Sequence, residues 1–227
     1  MRLTGSIKAV LFDLDGTLVD SAPDLLSALD HVLARLGRPP CSRPALRHFA
    51  SRGALGLLEA GLPDVGDTER QRLRQPFLDF YARHLWRESR PFEGIDDLLE
   101  ALGRAGIPIG VVTNKITRFA APVLNHAGWT ERIACLVTGD RVARPKPDPE
   151  PVRLACRLLL VDPADVVFIG DDQRDVEAGQ AAGVTTIVAG WGYLDPAVDP
   201  DSWGADAFAA SPSGLAALLA NRAGPNR

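Results

Sequence analysis

Leu11-Phe12-Asp13-Leu14-Asp15-Gly16-Thr17-Leu18-Val19-Asp20-Ser21 decides the fold. The run Ala9-Val10-Leu11-Phe12 that leads into it is apolar at every position, the pattern of a buried strand. Asp13 and Asp15 leave the end of that strand two residues apart, and Gly16 and Thr17 turn the chain behind them. Residues i and i+2 of an extended segment face the same way, so the two carboxylates point toward one spot, where an ionised pair repels. Such a place demands a cation, a proton or both.

Outward from this stretch, the chain from Gly94 onward alternates short β-rich runs with helical periods. Strands are predicted at Ile107 to Val112, Cys135 to Val137, Val166 to Ile169 and Thr185 to Ala189, with helices at Ile95 to Ala105, Ile116 to Ala127, Pro149 to Leu160 and Asp175 to Ala182. That alternation implies an α/β fold, a parallel sheet with helices on both faces, to which Ala9 to Phe12 also belongs. Residues from about Asp20 to Arg90 break the rhythm. Helical periods at Pro23 to Leu36, Pro44 to Ala60 and Thr68 to Glu88, without a convincing strand, read as an inserted helical cap. Ala205 to Arg227 reads as a last short strand or loop and a helix with a frayed tail. In open parallel sheets ligands sit beyond the carboxyl ends of the strands, near the switch point. Asp13, Thr113 and Asp171 each follow a strand directly and are therefore expected to converge on one edge.

Composition narrows the partners. The chain has 227 residues, 46% of them hydrophobic, enough for a real core, and a net charge of -4. No general attraction to nucleic acid or anionic membrane follows from that balance, so recognition of a phosphate has to come from a few local groups. Cys41, Cys135 and Cys156 show no C-x-x-C spacing and read as reduced thiols, and no segment has the length of a signal core or membrane span, which fits a cytoplasmic protein. Among 25 basic residues only Lys8, Lys115 and Lys146 are lysine. A compact ammonium and a planar guanidinium fork are not interchangeable at a phosphoryl group.

Asp13 is the natural nucleophile, because a carboxylate is ionised at neutral pH without an activating base. Its difficulty is repulsion: two unit charges about 4 Å apart interact by roughly 4 kcal/mol at the effective dielectric of a partly enclosed site. Asp171, in Gly170-Asp171-Asp172-Gln173-Arg174-Asp175, can join Asp13 in holding a hard cation such as Mg²⁺. Lys146, in the proline-stiffened loop Arg144-Pro145-Lys146-Pro147-Asp148-Pro149, offers an ammonium to the same phosphate. Thr113 and Asn114 add a hydroxyl and an amide where a helix begins, and helix N-termini favour anions. Asp15 is placed to protonate a departing alkoxide and then deprotonate the attacking water. Lys115 is either part of this pocket or a solvated helix start, and at least one of Asp172 and Asp175 is expected to be a helix N-terminal acid.

These clusters, in order and spacing, resemble the four motifs of the haloacid dehalogenase-like phosphatases over nearly the whole chain. The resemblance implies a Rossmann-like parallel sheet core, residues 1–19 and 91–227, with a small α-helical cap, residues 20–90, inserted after the first strand. It further implies Mg²⁺-dependent phosphomonoester hydrolysis through a phospho-aspartate. Asp13 would be nucleophile and metal ligand, Asp15 the acid/base that also gives a backbone carbonyl to the metal, Thr113 and Lys146 phosphoryl contacts, and Asp171 the further ligand. Phe12 to Leu25 is similar to the opening of bacterial phosphoglycolate phosphatases. Val111 to Ala121, Lys146 to Ala155, Gly170 to Gly183 and Gly192 to Ala205 are also similar to N-acetylmuramic acid 6-phosphate phosphatases. The expected partner is thus a small phosphorylated metabolite, 2-phosphoglycolate or N-acetylmuramic acid 6-phosphate, acted on by a monomer or homodimer. Both carry a carboxylate, which a guanidinium suits, and Arg52 beside the Gly53 hinge of the cap is the candidate. A β-phosphoglucomutase-like phosphotransferase shares the core motifs, and a phospho-aspartate signalling switch shares their chemistry. Asp15 and the metal acid disfavour a dehalogenase, and a Schiff-base phosphonate hydrolase needs a cap lysine that residues 17–92 do not contain.

Overall fold

The computed structural model describes residues 7–220. The chain opens with β1 (Ala9–Phe12), whose side chains are all fully buried, and turns into the two-residue β2 (Val19–Asp20). Helices α1 (Ala22–Arg35), α2 (Arg43–Leu46), α3 (Gly53–Gly61) and α4 (Asp67–His84) follow, and β3 (Arg90–Pro91) returns to pair antiparallel with β2. Then come α5 (Ile95–Arg104), β4 (Ile109–Val112), α6 (Thr117–His126), β5 (Ile133–Val137) and α7 (Glu150–Leu159). The chain ends with β6 (Val166–Gly170), α8 (Gln173–Ala182), β7 (Thr185–Ala189), β8 (Ala207–Ala209) and α9 (Pro212–Ala220).

Six strands form one parallel sheet in the order β5-β4-β1-β6-β7-β8. Alternation along β1 sends Val10 and Phe12 to a core shared with α5, α6 and α9, and Ala9 and Leu11 to a core shared with α7 and α8. With both faces covered, the strand has to be apolar throughout, which is why its sequence is a run and not an alternation. β1 lies between β4 and β6, so the connections leave it in both directions and the crevice at its carboxyl end is the topological switch point.

The helices between β2 and β3 bury a third cluster, including Leu25, Leu29, Leu57, Leu58, Phe77 and Tyr81, against Phe119 and Tyr193 of the sheet unit. Asp24, in the first turn of α1, accepts hydrogen bonds from the amides of Glu88 and Ser89 at 2.9 and 3.1 Å. It thereby ties together the two strands of chain that join the helices to the sheet.

Several boundaries differ from the sequence reading. β4 begins at Ile109 because the Ile107 amide closes α5 on Leu102 O at 3.0 Å. β5 starts two residues before the predicted Cys135, and the ribbon of β2 and β3 was not predicted, being too short to show a period. Pro44 to Ala60 is not one helix: a 3₁₀ segment, Arg47–Arg52, separates α2 from α3, and Gly53 at the break has φ +64°. The last helix among the described residues is α9, and the predicted frayed tail, residues 221–227, lies outside them. No described helix is long and apolar enough to cross a membrane.

Candidate active site

Three strand ends deliver the site. The Asp13 amide donates to Ile169 O at 2.9 Å and the Thr113 amide to Val137 O at 2.9 Å, so each residue is fixed by the strand beside it as it leaves the sheet. Asp171 follows β6 directly. Lys146 comes from the loop between β5 and α7, where Asn114 clamps it: Asn114 Nδ2 donates to Lys146 O at 2.9 Å and Lys146 N donates to Asn114 Oδ1 at 3.0 Å. The Asn114 amide is thus engaged in holding the lysine loop.

Lys146 is 4% exposed, and its Nζ stands 2.6 Å from Asp175 Oδ1, 2.9 Å from Asp13 Oδ1 and 2.9 Å from Val112 O. Burial works against its charge, but Asp13 and then Asp175 outweigh that and hold the ammonium above its usual range. The Lys146 ammonium is the one cation beside Asp13 Oδ1 among the described residues. Asp171 accepts from Thr17 Oγ1 at 2.7 Å and from the Tyr193 amide at 2.9 Å. Gly16 has φ +87°, and a Cβ there would run into the Asp171 carboxylate and the Tyr193 ring, so both the turn and the close approach require glycine.

One ammonium does not balance this cluster. Oxygens of Asp13, Asp171 and Asp175 lie within 4.8 Å of one another, all three residues buried. Burial, then the charges of Asp13 and Asp175, push the Asp171 carboxyl well up, and burial is also the main reason Asp175 rises to about 7 despite Lys146. Three buried carboxylates set this close, with one ammonium between two of them, fit a hard divalent cation such as Mg²⁺, which takes oxygen ligands.

Asp15 lines the same crevice as Asp13 but has partners of its own. Its Oδ1 accepts from Ser21 Oγ, and Lys115 Nζ lies 3.0 Å from both of its oxygens. The same Nζ donates to the Tyr81 hydroxyl of α4 at 2.9 Å. Asp172 caps α8 in a capping box with Asp175 and forms a two-pronged pair with Arg174, at 2.8 and 2.9 Å. Burial alone would raise the Asp172 carboxyl, but the Arg174 fork brings it to about 2. Arg174 also donates to Ser51 O at 2.9 Å, joining sheet and helical units.

Between the units lies a cavity of about 230 Å³. Asp13, Thr113 and Lys146 line it from the sheet side, and Arg52, Leu55, Arg74 and Leu78 from the helical side. Arg52 packs over Phe49 at 5.0 Å; neither it nor Arg74 has an acidic partner among the described residues.

The structure therefore brings Asp13, Asp15, Thr113, Asn114, Lys146 and Asp171 to one crevice, with Arg52 on its far wall. Asp175, left between two roles by the sequence, holds both, as third acid of the cluster and as N3 of the capping box. Lys115 belongs to the pocket. Tyr81, Thr17 and Arg74 were missed. Tyr81 lies in a polar helix with no motif around it, and Arg74 is one arginine among many.

A model of the haloacid dehalogenase-like hydrolases matches residues 10–189. The chain is 45% identical over 214 residues to an N-acetylmuramic acid 6-phosphate phosphatase of Pseudomonas aeruginosa, covering 94% of this chain and 95% of that one. It is 41% identical over 205 residues to a phosphoglycolate phosphatase of Xylella fastidiosa, covering 90% of each. A crystal structure described as a predicted phosphoglycolate phosphatase from Haemophilus somnus is similar to it with TM-score 0.84 and 26% identity, over 93% of this chain and 97% of that one.

Proposed function

The chain belongs to the haloacid dehalogenase-like hydrolase family and is a phosphatase; from that premise we propose that it cleaves a small phosphomonoester through a phosphorylated Asp13. One observation carries the reading. At the switch point of the sheet, Lys146 bridges Asp13 and Asp175 while Asp171 closes an acidic cluster that needs further positive charge.

A carboxylate oxygen of Asp13 forms a bond to phosphorus as the bond to the ester oxygen breaks. Lys146 and Thr113 hold the phosphoryl group against that carboxylate, and Asp15 gives a proton to the departing alkoxide. In the second half, water attacks the acyl phosphate, Asp15 takes its proton, and Asp13 is released with inorganic phosphate. Asp13 and Asp171, with a backbone carbonyl of Asp15, would hold Mg²⁺, which when bound neutralises the phosphoryl oxygens.

The helices between β2 and β3 serve as a cap over residues 20–90, and the substrate is 2-phosphoglycolate or N-acetylmuramic acid 6-phosphate, a reading supported by the names of the relatives. Each carries a carboxylate besides the phosphate, and Arg52 and Arg74 are unpaired cations on the cavity wall suited to receive it.

Phosphate release is to be measured on both compounds and on simple sugar phosphates, with Mg²⁺ and with chelator, against Asp13→Asn. The expected result is metal-dependent release on a carboxylate-bearing ester that falls by about 10⁴-fold or more in the variant, the scale for losing a nucleophile. Comparable turnover in Asp13→Asn would remove Asp13 from that role, and a hexose 1-phosphate converted to its 6-phosphate would make the enzyme a mutase.

A further inference from the structure

Lys146 attends the nucleophile; the second buried ammonium attends its neighbour. The Lys115 side chain is 7% exposed, with Nζ 3.0 Å from each Asp15 oxygen and 2.9 Å from the Tyr81 hydroxyl. An ammonium has three donors and no acceptor. All of Lys115's capacity is thus directed to Asp15 and Tyr81, and none of it is left for a phosphoryl oxygen.

The partners come from different parts of the molecule. Asp15 sits beyond β1 and Lys115 just ahead of α6, both in the sheet unit, whereas Tyr81 belongs to α4 of the helical unit. Tyr81 is 1% exposed and packs edge-on against Phe119 at 5.3 Å, which fixes its hydroxyl over the crevice. Ser21 Oγ, just ahead of α1, holds Asp15 Oδ1 from the other side. The ammonium that holds the proton-shuttling carboxylate therefore completes its hydrogen bonds only when α4 is seated on the sheet unit.

From this geometry we infer that Lys115 is a positioning residue, not a phosphate ligand, and that Tyr81, by completing its hydrogen bonds, makes the station of Asp15 depend on the seated helical unit. An ammonium on both oxygens fixes where the Asp15 carboxylate stands when water attacks, in the second half of the reaction. There the water oxygen bonds to phosphorus, the Asp13–phosphorus bond breaks, and the water proton passes to Asp15. The inference rests on reading Asp15 as the acid/base.

Rapid-mix kinetics with p-nitrophenyl phosphate and Mg²⁺ test it, because that leaving group needs no proton and the first half stays fast. Lys115→Met is expected to lower steady-state turnover by about 10²-fold and Tyr81→Phe by about 10-fold, the scale of a group displaced by about 1 Å or less. Each should show a burst of nitrophenol approaching one per active site with KM unraised, and the phosphoenzyme should be trapped by acid quench. Tyr81→Phe removes a single oxygen and carries the test if Lys115→Met does not fold. Asp15→Ala serves as reference: if it accumulates no phosphoenzyme, the acid/base reading falls and takes the inference with it. If Asp15→Ala accumulates phosphoenzyme while both other variants turn over without a burst, the positioning role alone is overturned. A raised KM with unchanged turnover in Lys115→Met would likewise overturn it, by making Lys115 a substrate contact.

Discussion

The floor and the roof of the cavity are built on opposite terms. On the floor, Asp13, Lys146, Asp171 and Asp175 are at most 9% exposed, and Lys146 reaches two carboxylates and a backbone carbonyl at once. On the roof, Arg52 and Arg74 are exposed and unpaired, with Leu55 and Leu78 beside them. Charges in a low-dielectric interior must have fixed partners, so a floor of this kind is committed to one group and tolerates little change. Side chains that remain in water can vary without a folding penalty. The difference explains how relatives named for N-acetylmuramic acid 6-phosphate and for phosphoglycolate can both be similar to this chain at 45% and 41% identity. In the proposed function the phosphoryl group is met by the floor, and the remainder of the substrate by the roof.

Lys146→Met strikes the floor hardest. It removes the charge that pairs with two carboxylates of the buried three-acid cluster, and breaking a buried ion pair costs about 3–5 kcal/mol. Loss of a preorganised cation at the phosphoryl group should lower kcat by about 10²–10³-fold. Urea unfolding should show the stability loss, and Mg²⁺ should recover part of it by binding the folded state alone. A variant as stable as the parent without Mg²⁺ would mean that the floor is not held by its charge balance.

Much of the floor was legible because its residues are tied to a strand pattern. The apolar run Ala9 to Phe12 marks a doubly covered strand, and Asp13, Thr113 and Asp171 follow strands whose parallel order puts their ends side by side. Lys146 stood out through the scarcity of lysine, although its contact with Asp175 did not. The roof was not legible in the same way. Its helices carry no period that says which face looks at the crevice: Tyr81 is buried and hydrogen-bonded to Lys115, while Arg74, seven residues earlier on α4, is exposed at the cavity. The 3₁₀ segment that presents Arg52 was read as continuous helix, because contacts remote in sequence, such as Arg174 to Ser51 O, help hold it in that form.

On the roof the effect should be smaller and selective. Arg52→Ala and Arg74→Ala should each raise KM for a carboxylate-bearing ester by about 10-fold, the equivalent of one charge-assisted hydrogen bond. Turnover of p-nitrophenyl phosphate, which has no carboxylate, should stay within about twofold, since neither arginine is paired with any group of the floor. Equal losses on both kinds of substrate would place the arginines on the phosphate instead and erase the division between floor and roof.

The weakest effect separates burial from wiring. Asp140 is exposed, yet one of its oxygens accepts from Thr117 N at 2.9 Å, Thr117 Oγ1 at 2.8 Å and Thr138 Oγ1 at 2.7 Å, which caps the start of α6 just beyond Thr113, Asn114 and Lys115. The Thr138 hydroxyl is the chief reason its carboxyl falls from 3.8 to about 2, against the opposing effect of burial and with the help of Thr117. Asp140→Ala should cost about 0.5–1 kcal/mol, at the low end for a helix cap because water competes at an exposed site. A carboxyl whose pKa is lowered by folding stabilises the native state above its unfolded pKa and loses that contribution as pH falls through the folded one. The gap in Tm between wild type and Asp140→Ala should therefore be full at neutral pH and close between about pH 4 and pH 2. If the gap persisted unchanged at pH 2, the stabilisation would come from the shape of the loop and not from the carboxylate, and an exposed charge at the edge of the floor would count for no more than one on the roof.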